Sequence, residues 1–395
     1  MTATTSAPHA SLPVSLWALL FGNFVIGTGI MVVPGTLNDI SHSLQISTAT
    51  AGQLISAAAL MVCLGAPVFA TLIRNWDRRQ LLALCMAWYG ALHLLCSTLP
   101  GFGALLPLRI LAVIPAAIFT PQAAACVGLL VPPTHRGRAI TMVFLGWSVA
   151  SVLGMPMAAW MGGTWGWRTA FVLIGLLSFA SAAWVWHAMP DGVKPPALTL
   201  ESWRNTLRSP ALMLCIAVTA LYSAGQFVLF SYFAPYFKAT LQTTPAQLSL
   251  LFGWFGAFGF LGNMLASRYI DRVGAPRMVL VCVGLMALSL LAWPLGTSLA
   301  LAAVVCIPWA LGCFSSNSAQ QARLVGLGPT LAGGSIALNT SAMYAGQALG
   351  AAGGGWLIAA DQMHALHWLG FGGLLAAMAV SVWAAQAAST RGVRA

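Results

Sequence analysis

Asp191-Gly-Val-Lys-Pro-Pro-Ala-Leu-Thr-Leu-Glu-Ser-Trp-Arg-Asn-Thr-Leu-Arg208 is the most polar stretch of the chain, and it falls almost at the centre of 395 residues. It holds two of the six acids and three of the seventeen bases, around a proline pair that resists helix. On both sides the sequence is nearly continuously apolar. A bilayer span needs about 20 mostly apolar residues, or as few as ~17. Upstream such runs fall near 15–37, 48–73, 80–99, 104–131, 139–161 and 168–188; downstream near 209–236, 247–267, 276–294, 298–318, 331–358 and 364–386. The polar stretch therefore reads as a linker, 189–208, between two six-helix halves, 1–188 and 209–395. The runs are unbroken rather than alternating, which selects helices over a barrel because lipid-exposed backbone must pair within its own segment. The expected fold class is an all-α membrane protein with twelve transmembrane helices in two bundles.

Composition agrees. Residues are 59% hydrophobic and 6% charged, against roughly a quarter charged in soluble domains, and mean hydropathy is +0.86. A water-soluble enzyme is excluded. The net charge of +11 belongs to no basic domain that could grip nucleic acid; anionic lipid headgroups are the expected counter-charge. Arg168 and Lys238 face one side of the membrane, Arg109 lies inside a span, and the other fourteen Lys and Arg fall on the opposite side. Cationic loops stay cytoplasmic, so both termini are expected inside the plasma membrane of a bacterium, with the first span uncleaved. The eight cysteines form no C-x-x-C pair and the seven histidines no H-E-x-x-H, so neither metal nor cofactor is expected. No phosphate-cradling loop is present.

The halves echo each other. Asp77-Arg78 after the second span and Asp271-Arg272 after the eighth are 194 residues apart, and that shift lays span one on span seven. Such pseudo-symmetry is a common construction among transporters. The loop Ala70-Thr-Leu-Ile-Arg-Asn-Trp-Asp-Arg-Arg79 and its sharper copy Ser267-Arg-Tyr-Ile-Asp-Arg-Val-Gly274 resemble the motif G-x-L-a-D-R-x-G-R-[RK] of the major facilitator superfamily, the first with Arg74 where the acid belongs. Gly146-Trp-Ser-Val-Ala-Ser-Val-Leu-Gly154-Met-Pro156, followed by Gly-Trp167-Arg-Thr-Ala-Phe171, is similar to the antiporter motif and G-W-R-x-x-F signature of that family's drug/proton efflux branch. Leu338-Asn339 to Gly350 looks like its counterpart in the second half, and Pro34-Gly-Thr-Leu-Asn-Asp39-Ile is similar to a P-x-L-P-D-I segment. The resemblance implies the major facilitator fold and secondary transport by alternating access. It assigns gating to Arg78, Arg79, Asp271, Arg272, Gly154 and Pro156, although positive charge can equally serve topology and glycine plain packing.

An intramembrane charge is a functional candidate by default, and Arg109 is the only one within the predicted spans. The resemblance puts a basic residue there that binds anionic groups or governs a proton carrier. Asp39, at the end of span one, is its expected counter-ion, and His93 in span three a second candidate for proton coupling; snorkelling of Arg109 and capping by Asp39 are the plainer alternatives. The cavity that the family places between spans one, four, seven and ten implicates Asn23, Gln122, Tyr222, Gln226, Tyr232, Asn317 and, from adjoining spans, Trp147 and Asn339, each of which can instead fasten helices together. The expected activity is proton-coupled efflux of a small organic molecule by a monomer, with no cofactor and no nucleic acid; the alternative is a proton-independent facilitator or a symporter importing a metabolite.

Overall fold

The computed structural model describes residues 13–73, 75–132, 136–194 and 200–392. Arg74 and residues 195–199 of the mid-chain stretch lie outside them. No strand occurs among the described residues. The helices are α1 (Val14–Ser43), α2 (Thr48–Leu72), α3 (Arg78–Thr98), α4 (Phe102–Ala112), α5 (Ile114–Leu130), α6 (Arg136–Val149), α7 (Met155–Trp165), α8 (Trp167–Ala188), α9 (Leu200–Leu207), α10 (Pro210–Phe230), α11 (Phe233–Leu241), α12 (Pro245–Val273), α13 (Ala275–Leu291), α14 (Leu299–Leu327), α15 (Ala332–Ala359) and α16 (Leu366–Gly392). Joined where they are continuous, ten of these rods are long and apolar enough to cross a bilayer. Of the other three, α9 is only 8 residues long, α13 has 17 residues, and α15 has 28 that are rich in glycine and alanine. The set is consistent with twelve crossings in two six-helix bundles.

Start signals in the sequence explain where several rods begin. Ser47 accepts from the Thr50 amide, Asp77 from those of Arg79 and Gln80, and Thr244 with Gln247 closes a capping box. These side chains satisfy amide donors that the first helical turn leaves free. Gly166 and Gly274, at φ +88° and +86°, are the single-residue turns into α8 and α13, a conformation that side chains with a Cβ rarely adopt.

Prolines break three spans. Pro115 lacks the donor that the Leu111 carbonyl would take, so span four parts into α4 and α5, and Trp88 Nε1–H donates to Leu111 O instead, at 3.0 Å. A π turn over Ala150–Gly154 precedes Pro156 in span five and joins α6 to α7. Ser231–Tyr232 separates α10 from α11 in span seven, three residues before Pro235.

Corresponding helices pack alike in the two bundles. In the first, α1 lies along α6 and α7 and α3 along α8; in the second, α10 lies along α15 and α13 along α16. Glycine permits the approach. A Cβ at Gly146 would strike the Leu20 carbonyl, and one at Gly346 the Ala220 carbonyl. Large apolar side chains such as Leu250 and Trp356 point outward, 70% and 68% exposed, as a lipid-facing surface requires.

We call the end that carries α9, the start of α1 and the first residues of α3 the terminal end, and the other the distal end. The bundles meet along α2 and α15 and along α7 and α12, with α11 touching α1. Ser249 Oγ–H donates to the Pro156 carbonyl at 2.8 Å, and a Cβ at Gly163 would lie 2.5 Å from Pro245. Both contacts sit in the distal third of their helices. The terminal half of span four, α5, packs on α1, α2, α3, α4 and α6 of its own bundle.

Candidate functional site

Span four delivers Arg109 to the middle of the molecule. The side chain is 2% exposed, and burial of a cation at this depth demands partners. It finds two. Nη1–H donates to His93 Nε2 at 2.9 Å, and Nη2–H donates to the Gly29 carbonyl at 2.7 Å, near the midpoint of α1. The His93 ring, itself fully buried, donates from Nδ1 to the Tyr89 carbonyl at 2.8 Å, and the Tyr89 hydroxyl donates to Ile26 O at 3.2 Å. Phe171 lies under both groups, its ring 5.6 Å from the imidazole and 5.8 Å from the guanidinium carbon. From the other bundle Tyr344 and Gln347 face this cluster across a cavity of about 10 Å³ that Arg109 also lines.

Asp39 is elsewhere. It lines a distal cavity of about 460 Å³ with His42, Gly162, Arg168 and, from the other bundle, Lys238. The expected contact between Asp39 and Arg109 is not formed: among the described residues the one ion pair is Arg79 with Asp191. The reason is depth. Gly29, the Arg109 acceptor, precedes Asp39 by ten residues on one helix, about 15 Å of rise, and Arg109 turns toward the membrane centre instead of the near surface.

Most of the polar residues singled out above join helices within one bundle. Asn23 donates to Val143 O at 3.0 Å and accepts from Thr120 Oγ1 at 2.7 Å, while Trp147 Nε1–H donates to Thr120 Oγ1 at 3.3 Å; spans one, four and five are fastened together. Spans seven, ten and eleven repeat the device, with Thr219 donating to Asn339 Oδ1 at 2.5 Å and Asn339 to Asn317 Oδ1 at 3.2 Å. Gln226 accepts from Cys313 Sγ at 3.1 Å, and Tyr222 is buried beside Thr219 and Ser316. Tyr232 donates to Ala351 O at 2.8 Å and fills the space against Gly52, in the seam between α2 and α15.

Gln122 stands at the terminal end, where its Oε1 accepts from Arg78 Nε at 2.9 Å. Arg78, 3% exposed, also donates to the carbonyls of Ile73 and Trp76 at 3.0 and 2.5 Å. Beside it Asp77 accepts from the Gly192 amide at 2.6 Å, and Arg79 pairs with Asp191 at 2.7 Å over the Trp186 ring. The degenerate first loop thus ties span three to the start of the mid-chain stretch. Asp271 and Arg272, in the sharper copy, are exposed and make no hydrogen bond or ion pair among the described residues. Gly154 meets Thr28, and Pro156 offers its carbonyl to Ser249.

Sequence reasoning missed four participants. Thr120 lies eleven residues after Arg109, three helical turns along one face, a spacing that could have flagged it. Tyr344 and Gln347 carry no local signal. Arg323 was assigned to a loop, but α14 runs on to Leu327 and buries it, with Nη1 and Nη2 donating to Ser381 Oγ and O at 2.9 and 3.0 Å.

A family model described as Major Facilitator Superfamily matches residues 19–325. The chain is 31% identical to a chloramphenicol resistance protein of Streptomyces lividans over 72% of each sequence. It is 29% identical to the inner membrane transport protein YdhP of Escherichia coli K12, over 87% of this chain and 89% of that protein. In three dimensions it resembles a bacterial homolog of the human lysosomal transporter Spinster, solved in an inward-facing, unoccupied conformation: the TM-score is 0.72 at 19% identity, over 97% and 96% of the two chains.

Proposed function

This chain belongs to the major facilitator superfamily and is a membrane transporter, and from that premise we propose that it exports a small organic molecule in exchange for protons by alternating access. The carrying observation is a closure at one end. The named contacts between the bundles, Ser249 to Pro156 and Gly163 to Pro245, are distal, whereas the terminal part of span four packs within its own bundle. Basic loops support a cytoplasmic terminal end in the inner membrane of a bacterium, and the distal contacts support a conformation closed on the outer side. The likeness to a chloramphenicol resistance protein supports an amphipathic drug-like solute. Residue roles follow the geometry: Arg109 and His93 at the centre, Asp39 with Lys238 at the distal mouth, Arg78 and Arg79 as fasteners of the terminal end. The protein acts as a monomer, each bundle being complete in one chain.

A second reading, facilitated transport without protons, draws support from the surroundings of Arg109, where no carboxylate lies within pairing distance among the described residues. Proteoliposomes decide between them. With chloramphenicol as probe, an imposed pH gradient accelerates saturable flux if exchange is the mechanism and leaves it unchanged if it is not. A thermal-shift panel of antibiotics, sugars, nucleosides and amino acids widens the solute search, since a ligand that binds only the folded form raises its melting point.

A further inference from the structure

We propose that His93 is the proton-carrying group of this transporter, and that its Nε2 holds either the Arg109 guanidinium or a proton, never both. The inference rests on the proton coupling proposed above and names the carrier which that reading leaves open. Arginine has donors only, so the 2.9 Å contact from Arg109 Nη1 makes Nε2 of His93 an acceptor. Nδ1 then carries the ring proton and donates it to the Tyr89 carbonyl at 2.8 Å. The imidazole is neutral and its tautomer fixed. A second proton has only Nε2 to occupy, where it would set one cation and one N–H directly against another.

Nothing else around His93 relieves that conflict. Its own helix brings Tyr89, whose hydroxyl is engaged with Ile26 O, and the thiol of Cys96, which lies close enough to Arg109 to feel its charge. Helix α8 presents Phe171, α1 the Gly29 carbonyl, α4 Arg109 itself, and α5 only Cys126, down beside Arg78. No carboxylate faces the ring among the described residues. Protonation therefore requires the guanidinium to leave.

It has a destination. Arg109 Nε–H is buried and unpartnered. The cavity that Arg109 lines is closed on its far side by Tyr344 and Gln347, 3% and 6% exposed, neither with a hydrogen bond among the described residues. That cavity, about 10 Å³, has room for no more than a water, so a guanidinium moved toward them must part the bundles at this seam, among spans one, two, four and eleven. Proton uptake puts a cation into that seam and proton release withdraws it to His93. Solute and proton then exclude each other from the midplane, which is the requirement for exchange.

Nitrogen NMR of [15N]histidine-labelled protein in nanodiscs tests this without a solute, with the His93 signals assigned by their loss in His93→Gln. The wild type should show the Nδ1–H tautomer with Nε2 unprotonated at ~pH 8 and take its second proton at Nε2 only as the pH falls, and Arg109→Gln should take that proton at a higher pH. An Nε2–H tautomer in the wild type, or uptake at the same pH with and without Arg109, overturns the proposal. In the chloramphenicol assay the informative quantity is flux with the gradient divided by flux without it. That ratio should fall about tenfold, toward one, in His93→Gln whatever its absolute rate. A ratio equal to wild type removes His93 but leaves proton-coupled exchange standing; a wild type indifferent to the gradient removes the exchange reading itself.

Discussion

Three guanidiniums, Arg78, Arg109 and Arg323, are each no more than 3% exposed, and none has an acid within pairing distance among the described residues. Carbonyls, an amide, a serine hydroxyl and an imidazole take their protons instead. A buried charge with its donors met is tolerable, whereas removal of the charge strands the acceptors. Arg78 and Arg79 are neighbours that separate these cases. Arg78→Ala frees the carbonyls of Ile73 and Trp76 in a buried site and should cost about 2–3 kcal/mol. Arg79→Ala breaks a 2.7 Å ion pair whose side chains are 22% and 76% exposed, and should cost less than about 1 kcal/mol. Thermal midpoints of purified protein check the order: Arg78→Ala should melt several degrees lower than Arg79→Ala. At this scale the sequence announced charges but not partners. Arg109 was legible as a lone cation in an apolar run, yet nothing local could reveal that it points inward to His93, sixteen residues back, instead of outward to Asp39. Arg323 was hidden because hydropathy fades before the helix does: the apolar run ends near 318, but no glycine interrupts the helix until Gly326.

At the scale of elements, the rods were readable because apolar runs, caps and prolines are local signals. Their internal breaks were readable only as proline positions. The π turn before Pro156 and the parting of α4 from α5 depend on which neighbour takes the freed carbonyl, and Trp88 does so from another helix. Close pairing of helices was announced by glycine, and it carries a prediction. Gly146→Ala and Gly346→Ala each drive a methyl into a backbone carbonyl of the neighbouring rod, where the neighbour cannot yield as a side-chain tip would. Each should destabilise by about 1–3 kcal/mol. Gly103→Ala, with nothing within 4 Å of the new Cβ, should leave the melting midpoint unchanged or slightly raised. Equal shifts for all three would show that α1 and α6, or α10 and α15, are not packed this tightly.

For the molecule as a whole, the mid-chain polar stretch and the 194-residue echo made two bundles legible, and the hydrogen-bonded triads Asn23–Thr120–Trp147 and Thr219–Asn339–Asn317 repeat the same three spans in each. The balance between the two motif loops was not legible. The degenerate copy is fastened to the end of span six while the sharper copy stands free, because packing partners, rather than the motif's own residues, decide which loop is held. What transport requires is that the distal seam between α7 and α12 open and close. A Cβ at position 253 would lie 4.0 Å from that of residue 156, within disulfide range. The most direct measurement is therefore solute flux through proteoliposomes of a Pro156→Cys, Gly253→Cys protein, compared before and after reduction. Flux abolished in the oxidised protein and restored by dithiothreitol is the expected result; undiminished flux through fully crosslinked protein would contradict a carrier that works by moving one bundle against the other.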